Sequence, residues 1–349
     1  MLEITVPYYL GIDGGGTKTT CALGDDSQLI ATATAGPSNI IRVGETQARE
    51  SLQQSVRQAC AAAGITPAQV AHSCVGGSGA ARPELAAIVR RILTEILPTP
   101  IDVVGDIQTS LEAAFHTGPG VIVIAGTGSI AFGRDRAGNT LRAGGWGFAI
   151  GDEGSAHWIG RAAVSAVLRA ADPRDGTPAS TTSSSRAPQS RMPRVSPPLR
   201  DLGGLPEQGR PQDSPQVSSL AQALCKAWGV NTLDDLARAA NSTPPPDFAT
   251  LCPAVVASED AIALQVLSRA GRELAQVVAV VSQRLFAQED AALVPVAMIG
   301  GVFRHSPIVR TDFYNELRQL DPRAEINPQV VDPVEGALRM ARRAGTKVD

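Results

Sequence analysis

Gly11-Ile12-Asp13-Gly14-Gly15-Gly16-Thr17-Lys18-Thr19 decides the fold, because a short apolar run entered through Leu10 and Ile12 ends in three glycines and two hydroxyl residues. A second stretch repeats the pattern: Val121-Ile122-Val123-Ile124-Ala125 leads into Gly126-Thr127-Gly128-Ser129. Each loop reads as the turn at the end of a buried strand. Glycines let the backbone turn with positive φ and bring N–H groups up to an anion with no Cβ in the way. Thr17, Lys18 and Thr127 add hydroxyl donors and a charge. A single Gly-Gly-Gly-Thr loop is an ordinary tight turn; two such loops, with Asp106 between them, point to a clamp on a nucleotide's phosphates. The spacing excludes the two commoner nucleotide loops. Thr17 separates Lys18 from Gly16, which breaks the P-loop pattern, and Gly14 to Thr19 does not complete G-x-G-x-x-G.

Bulk properties permit such an enzyme and exclude some alternatives. A chain of 349 residues with 43% hydrophobic content supports about two domains, each with its own core. A net charge of −3 with mixed signs gives no electrostatic case for nucleic acid. Nothing approaches the roughly 18 uninterrupted apolar residues of a membrane span, and acidic Glu3 ahead of an early strand does not fit a signal peptide. The expectation is a soluble, cytoplasmic protein without membrane or nucleic-acid partners. Cys21, Cys60, Cys74, Cys225 and Cys252 form no C-x-x-C pair and have no histidine at zinc-ligand spacing, so they read as buried free thiols.

Strand and helix patterns alternate along the chain. Residues 19–24 and 29–33 flank Asp25-Asp26-Ser27 as a hairpin. Residues 45–63 form a helix stopped by Gly64, 70–75 a strand running into Gly76-Gly77-Ser78-Gly79, 83–97 a helix, 101–104 a strand and 108–115 a helix. Asp106 therefore stands just past a strand end, where ligands sit in open α/β sheets; the bland alternative is a helix cap. A strand over 118–125 and a hairpin from 130–133 to 141–143 follow. They lead into the densest motif, Gly144-Gly145-Trp146-Gly147-Phe148-Ala149-Ile150-Gly151-Asp152-Glu153-Gly154-Ser155. Gly145 and Gly147 free the backbone around Trp146 to meet a small polar ligand, and Trp146 either covers the apolar face of a sugar or fills the core. Asp152 and Glu153 precede a helix to about 171; they cap it, or Asp152 accepts hydrogen bonds from sugar hydroxyls. From about 172 to 215 Ser, Pro, Arg, Gly and Gln dominate, the composition of a flexible insertion. Residues 217–228, 232–240 and 248–285 are patterned as helices. A strand over 294–299 ends in Gly300-Gly301, which lets an adenine or ribose approach the backbone or simply turns the chain into the helix at 308–320. A last amphipathic helix spans 334–343. Two halves that each start with a strand and a glycine-threonine loop are expected to share a fold.

Asp13-Gly14-Gly15-Gly16-Thr17-Lys18, Gly126-Thr127-Gly128-Ser129, Gly144-Gly145-Trp146-Gly147, Gly151-Asp152-Glu153-Gly154-Ser155 with Ala156-His157-Trp158, and Gly300-Gly301 together resemble the sugar kinases of the N-acetylglucosamine kinase type. These lie within the BadF/BadG/BcrA/BcrD-type ATPases of the actin and hexokinase superfamily. The likeness covers almost the whole chain outside the Ser/Pro-rich stretch.

The resemblance implies an α/β protein of two actin-like (ribonuclease H-like) domains around an ATP cleft. The first would hold residues 1–117 plus a returning helix, about 333–349, and the second 118–332. It further implies that Gly14, Gly15, Gly16, Thr17, Lys18, Gly126, Thr127 and Gly128 hold the ATP phosphates and that Gly300 and Gly301 line the adenosine. Asp13 would face Mg2+. Asp106 would be the general base, in an ordinary ionised state, and Ser38, Asn39, Gly145, Trp146, Gly147 and Asp152 would contact the sugar. The acceptor implied is N-acetylglucosamine at its C6 hydroxyl, and a homodimer is implied for assembly. Ile40-Ile41 after Asn39 depart from the polar and aromatic pair of the animal enzymes, which leaves glucosamine and N-acetylmuramic acid open as acceptors. An ATPase activator of a partner enzyme, with cluster-binding cysteines, and a non-catalytic sensor are the other classes this fold admits.

Overall fold

The computed structural model describes residues 7–172, 218–289 and 293–346. The Ser/Pro-rich stretch falls, beyond Asp172, outside them.

The chain opens with β1 (Tyr8–Gly14), β2 (Thr19–Gly24) and β3 (Leu29–Ala35), an antiparallel meander, followed by α1 (Ile40–Ala62). Then come β4 (Val70–Gly77), α2 (Pro83–Thr94), β5 (Ile101–Gly105) and α3 (Asp106–Phe115). The second half runs β6 (Gly120–Ala125), β7 (Ser129–Arg134), β8 (Thr140–Gly144), α4 (Ala156–Ala171), α5 (Ser219–Trp228), α6 (Leu233–Ala240), α7 (Cys252–Val256) and α8 (Ala261–Leu285). It closes with β9 (Val294–Ile299), α9 (Gly301–His305), α10 (Pro307–Leu320), β10 (Ala324–Val331) and α11 (Pro333–Gly345).

Two five-stranded sheets result, ordered β3-β2-β1-β4-β5 and β8-β7-β6-β9-β10. In each, the first three strands are antiparallel and the fourth and fifth run parallel to the first. The expected shared fold of the two halves is thus present, as is the two-domain α/β class.

Alternation places the cores. Leu10 and Ile12 of β1 join Leu52, Val56, Val89 and Ile92 of α1 and α2 on one face of the first sheet. Tyr9 points the other way, with Ala22 and Cys74, onto Val334 and Leu338 of α11. Helix α11 can lie this close because β1 carries Gly11, where a Cβ would stand 2.2 Å from the Leu338 nitrogen. In the second sheet Val121, Val123 and Ala131 face α4 and α8, while Ile122 and Ile299 face Leu111 of α3. All five cysteines are buried and free, as expected. Among the described residues no single helix is long and apolar enough to cross a membrane.

Candidate active site

Parallel strands of one sheet end together, so their last residues form a row. In the first sheet Asp13 pairs with Gly76 and Gly77 with Gly105, which puts Asp13, the Gly76-Gly77 turn and Asp106 at one sheet end. In the second, β6 and β9 end together at Ala125 and Ile299, so the Gly126 and Gly300 loops are neighbours. Gly300 has φ 105°, and a Cβ there would lie 2.3 Å from the Ala125 carbonyl oxygen; only glycine fits without displacing the chain that enters the second loop.

The two glycine-threonine loops meet. Thr17 Oγ1 lies 3.0 Å from Thr127 Oγ1 across the cleft between the sheets. The first loop is closed by the Gly15 N–H donating to the Lys18 carbonyl at 3.0 Å, the second by the Gly126 N–H donating to the Gly128 carbonyl at 3.0 Å. The start of α4 docks onto the second loop, with Ala156 N–H on the Gly126 carbonyl at 2.8 Å and His157 N–H on the Thr127 carbonyl at 3.3 Å. The N-terminus of α4 therefore stands directly behind the second loop, its first amides bonded to that loop and to the Ser155 cap. Arg42 of α1 forms an ion pair with Asp247 of the second half, a further tie across the cleft.

Carboxylates crowd the opposite wall. Burial, then the charges of Asp106 and Asp332, push the Asp13 carboxyl from 3.8 up to about 7, against partial relief from Lys18 and Arg304. Asp106 is also raised, by burial, although its carboxylate accepts the Ile107 N–H at 3.0 Å and a hydrogen bond from the Ser78 side chain. Burial thus disfavours the charged form of Asp106, while the hydrogen bonds from Ile107 and Ser78 favour it. Gly105, not Asp106, occupies the cap position of α3, although the Asp106 carboxylate still accepts the first-turn Ile107 N–H.

Ser38 and Asn39 sit against the first loop. Both backbone N–H groups donate to the Gly15 carbonyl, at 3.1 and 3.3 Å, and Ser38 Oγ accepts from Thr19 Oγ1 at 2.8 Å. Asn39 caps α1 through Oδ1 to the Ile41 N–H at 3.1 Å, which fixes its side chain at the mouth of the cleft. Asp152 takes a positive φ of 61° and is buried. Its carboxylate accepts the Gly147 N–H at 3.2 Å and the Ser129 N–H, so it buckles the Trp146 loop to the second phosphate loop while burial raises its carboxyl. The Trp146 indole is 67% exposed, and the Arg142 guanidinium lies 4.6 Å from its ring centroid. Of the two roles open to Trp146, filling the core is excluded. The structure thus gathers Asp13 to Lys18, Ser38, Asn39, Asp106, Gly126 to Gly128, Gly300 and Asp152 around one cleft, and leaves the Trp146 side chain exposed.

Three residues escape the sequence reading. Ser78 bonds Asp106, and its N–H donates to the Gly14 carbonyl at 3.0 Å. Asp332 caps α11 and pairs with Arg304 at 3.3 Å. The signals were a serine inside Gly77-Ser78-Gly79, at the end of the strand between the two aspartates, and an aspartate before Pro333. Among the described residues no group of three or more His, Cys, Asp or Glu has the geometry of a preformed metal site.

Comparison with known proteins matches residues 10–341 to the profile of the BadF/BadG/BcrA/BcrD ATPase family. An N-acetylmuramic acid/N-acetylglucosamine kinase of Clostridium acetobutylicum is 36% identical over 169 residues, 48% of this chain and 55% of that protein. An N-acetyl-D-glucosamine kinase of Dictyostelium discoideum is 34% identical over 177 residues, 47% of this chain and 55% of that protein. The matched region thus spans about half the length of each curated relative. A crystal structure from Chromobacterium violaceum, of a protein provisionally designated an N-acetylglucosamine kinase, superposes with a TM-score of 0.66 at 24% identity, covering 97% of this chain and 99% of the other. One of the same designation from Porphyromonas gingivalis gives 0.63 at 16% identity over 97% and 99%. These two share the fold.

Proposed function

The chain belongs to the BadF/BadG/BcrA/BcrD ATPase family, and on that premise we propose that it is an ATP-dependent kinase of amino sugars, transferring the γ-phosphoryl group to the C6 hydroxyl of N-acetylglucosamine. The observation that carries this is the meeting of Thr17 and Thr127 at 3.0 Å beside two half-buried aspartates, Asp13 and Asp106. One wall offers backbone amides and hydroxyls to phosphates, and the other offers carboxylates to a proton and a cation.

In this reading the loops at 14–18 and 126–128 hold the β- and γ-phosphates, and Gly300 and Gly301 border the adenosine. Asp13 would be the residue that faces Mg2+, with ATP's own phosphates completing a ligand set the described residues do not preform; the ion would neutralise the charge of the transferring group. Ser38, Asn39 and the Gly145-Trp146-Gly147 loop position the sugar. Asp106, steered by Ser78, takes the proton of the C6 hydroxyl as its oxygen bonds to the γ-phosphorus. The bond from that phosphorus to the bridging oxygen breaks, and ADP leaves. Positioning and charge neutralisation supply most of the rate in such transfers. The domain division follows the two sheets, with residues to about 117 and the returning 333–349 as one unit and 118–332 as the other.

An activator that carries a metal cluster on cysteines finds no support. All five thiols are buried, so none lies on a surface where a cluster could be shared with a second copy of the chain.

The test is coupled ADP release with MgATP against glucose, glucosamine, N-acetylglucosamine, N-acetylmuramic acid and N-acetylmannosamine. Stimulation by an amino sugar supports the proposal, and turnover that no sugar raises refutes it. Asp106→Asn should lower kcat by about a hundredfold or more while ATP still binds, in line with the usual cost of losing a general base. A variant that keeps more than about a tenth of the wild-type rate takes Asp106 out of the role.

A further inference from the structure

The residue beside the exposed tryptophan carries a charge that nothing nearby balances. Arg142 lies on β8, directly opposite Phe132 of β7, and residues directly opposite in an antiparallel pair project from the same face of the sheet. Phe132 packs on Leu111, Ile122 and Ile299, and Ile107, the residue after the candidate base, packs on the same group. Arg142 therefore stands on the face of the second sheet that looks toward the N-terminus of α3 and its Asp106, with no carboxylate pairing it among the described residues. Its guanidinium is held 4.6 Å from the Trp146 ring centroid, in the loop that Asp152 buckles to the second phosphate loop. A guanidinium held over an aromatic ring loses rotamer freedom but keeps N–H donors at its edge, arranged as a fork that matches a carboxylate.

We propose that Arg142, pre-positioned by Trp146, is a specificity-determining residue that receives the carboxylate of an acidic amino sugar, so that the cleft accepts a sugar bearing a lactyl ether alongside N-acetylglucosamine. This rests on the kinase reading above. A neutral acceptor gives the Arg142 fork nothing to bind. N-Acetylmuramic acid, which differs from N-acetylglucosamine by a lactyl group ending in a carboxylate, supplies the charge that is missing. A fork-to-carboxylate contact is charge-assisted and about twice as strong as a neutral hydrogen bond.

The experiment measures kcat and KM for both sugars in the full-length wild type and in Arg142→Gln and Arg142→Lys. The expected result is that the wild type phosphorylates both, and that in Arg142→Gln the ratio of kcat/KM for N-acetylmuramic acid to that for N-acetylglucosamine falls by about tenfold or more, through KM. Arg142→Lys, which keeps the charge and loses the fork, recovers part of the ratio. If Arg142 only props Trp146, both sugars decline together and the ratio stays within about twofold; that result overturns the inference and spares the kinase. N-Acetylglucosamine turnover with N-acetylmuramic acid inert overturns it as well. Turnover of neither sugar removes the kinase reading and this inference with it.

Discussion

Replacing Asp13 with asparagine should stabilise the ligand-free protein at alkaline pH and do nothing comparable in acid. The Asp13 carboxyl is displaced from 3.8 to about 7, first by burial and then by Asp106 and Asp332. The folded protein therefore keeps a proton on this group over an interval in which the unfolded chain has lost it. A raised carboxyl contributes its full stability below about pH 4, and that contribution drains away as pH climbs through about 7. At about 1.36 kcal/mol per pH unit, the gap of about three units sets a ceiling near 4 kcal/mol. Asp13 is only half-buried and water relaxes around it, which halves this to about 2 kcal/mol. Asparagine keeps the shape and drops the charge, so its own packing and hydrogen-bonding costs are independent of pH. Urea unfolding of wild type and variant at pH 4.5 and pH 8, in chelator and without nucleotide, separates the two contributions. Far-UV circular dichroism is the right probe, because Trp146, Trp158 and Trp228 all lie in the second half and report little on Asp13. The stability of the variant relative to wild type should rise by about 2 kcal/mol between the two pH values. Mg2+ should reproduce part of that gain in the wild type at pH 8 and little of it in the variant. A relative stability that is flat with pH, or that falls toward pH 8, would refute the carboxylate crowding on which the cation site depends.

Gly300→Ala forces a side chain into a positive φ and to 2.3 Å from the Ala125 carbonyl, so it should cost about 2 kcal/mol or more of stability and raise the KM for ATP; a variant with wild-type thermal midpoint and KM would separate this turn from the nucleotide. Ser78→Ala removes a donor that favours ionised Asp106, so the acid limb of kcat/KM should move to higher pH, and an unmoved limb would show that Ser78 does not tune the base. Arg42→Ala breaks the ion pair to Asp247 on the exposed side of the cleft and should cost no more than about 1 kcal/mol, while Asp247→Ala also loses the Ala249 N–H it accepts and should cost more; a double variant whose loss equals the sum of the two would mean the side chains do not couple.

What the sequence made legible is what the backbone itself must do. Glycines after apolar runs marked both loops, and the repeated strand-loop beginning foretold two sheets of like order. Elements defined by side chains at their ends were harder to place. The helix expected over 45–63 starts at Ile40 because Asn39 caps it, and Gly44, at φ 77°, hides the join by interrupting the helical pattern. Residues 248–285, expected as one helix, break into a short turn at Phe248–Leu251, then α7, then α8, because Asp260 caps a new start by accepting the Ile262 N–H at 2.9 Å. Strand β10 went unread: Asn327-Pro328 sits within it, its register shifts between Ile326 and Val330, and an exposed edge strand lacks the alternation that betrays a buried one. Arg142 gave no signal at all, since strand pairing sets its place opposite Phe132 and the turn after β8 brings Trp146 beside it.

The internal repeat also explains the missed aspartate. Strands β5 and β10 hold the same station, fifth in their sheets, and each hands the chain to a helix: Asp106 begins α3, and Asp332 caps α11. Helix α3 leads from the first sheet toward the second, α11 returns from the second to the first, and the two pack against each other. Asp106 and Asp332 are thus counterparts, carried to one place by a duplicated topology. The strand-end loops show no such balance, for the counterpart of Asp13 near the end of β1 is the apolar Ile124-Ala125 at the end of β6. Asp13, Asp106 and Asp332 consequently crowd together where β1, β5 and β10 end, while the loop after β6 contributes amides and Thr127 and Arg304 offsets part of the charge. A polyphosphate drawn to those amides is repelled by those carboxylates. The binding of phosphate and the filling of the Asp13 wall by a cation are therefore coupled by charge, and neither should be tight without the other.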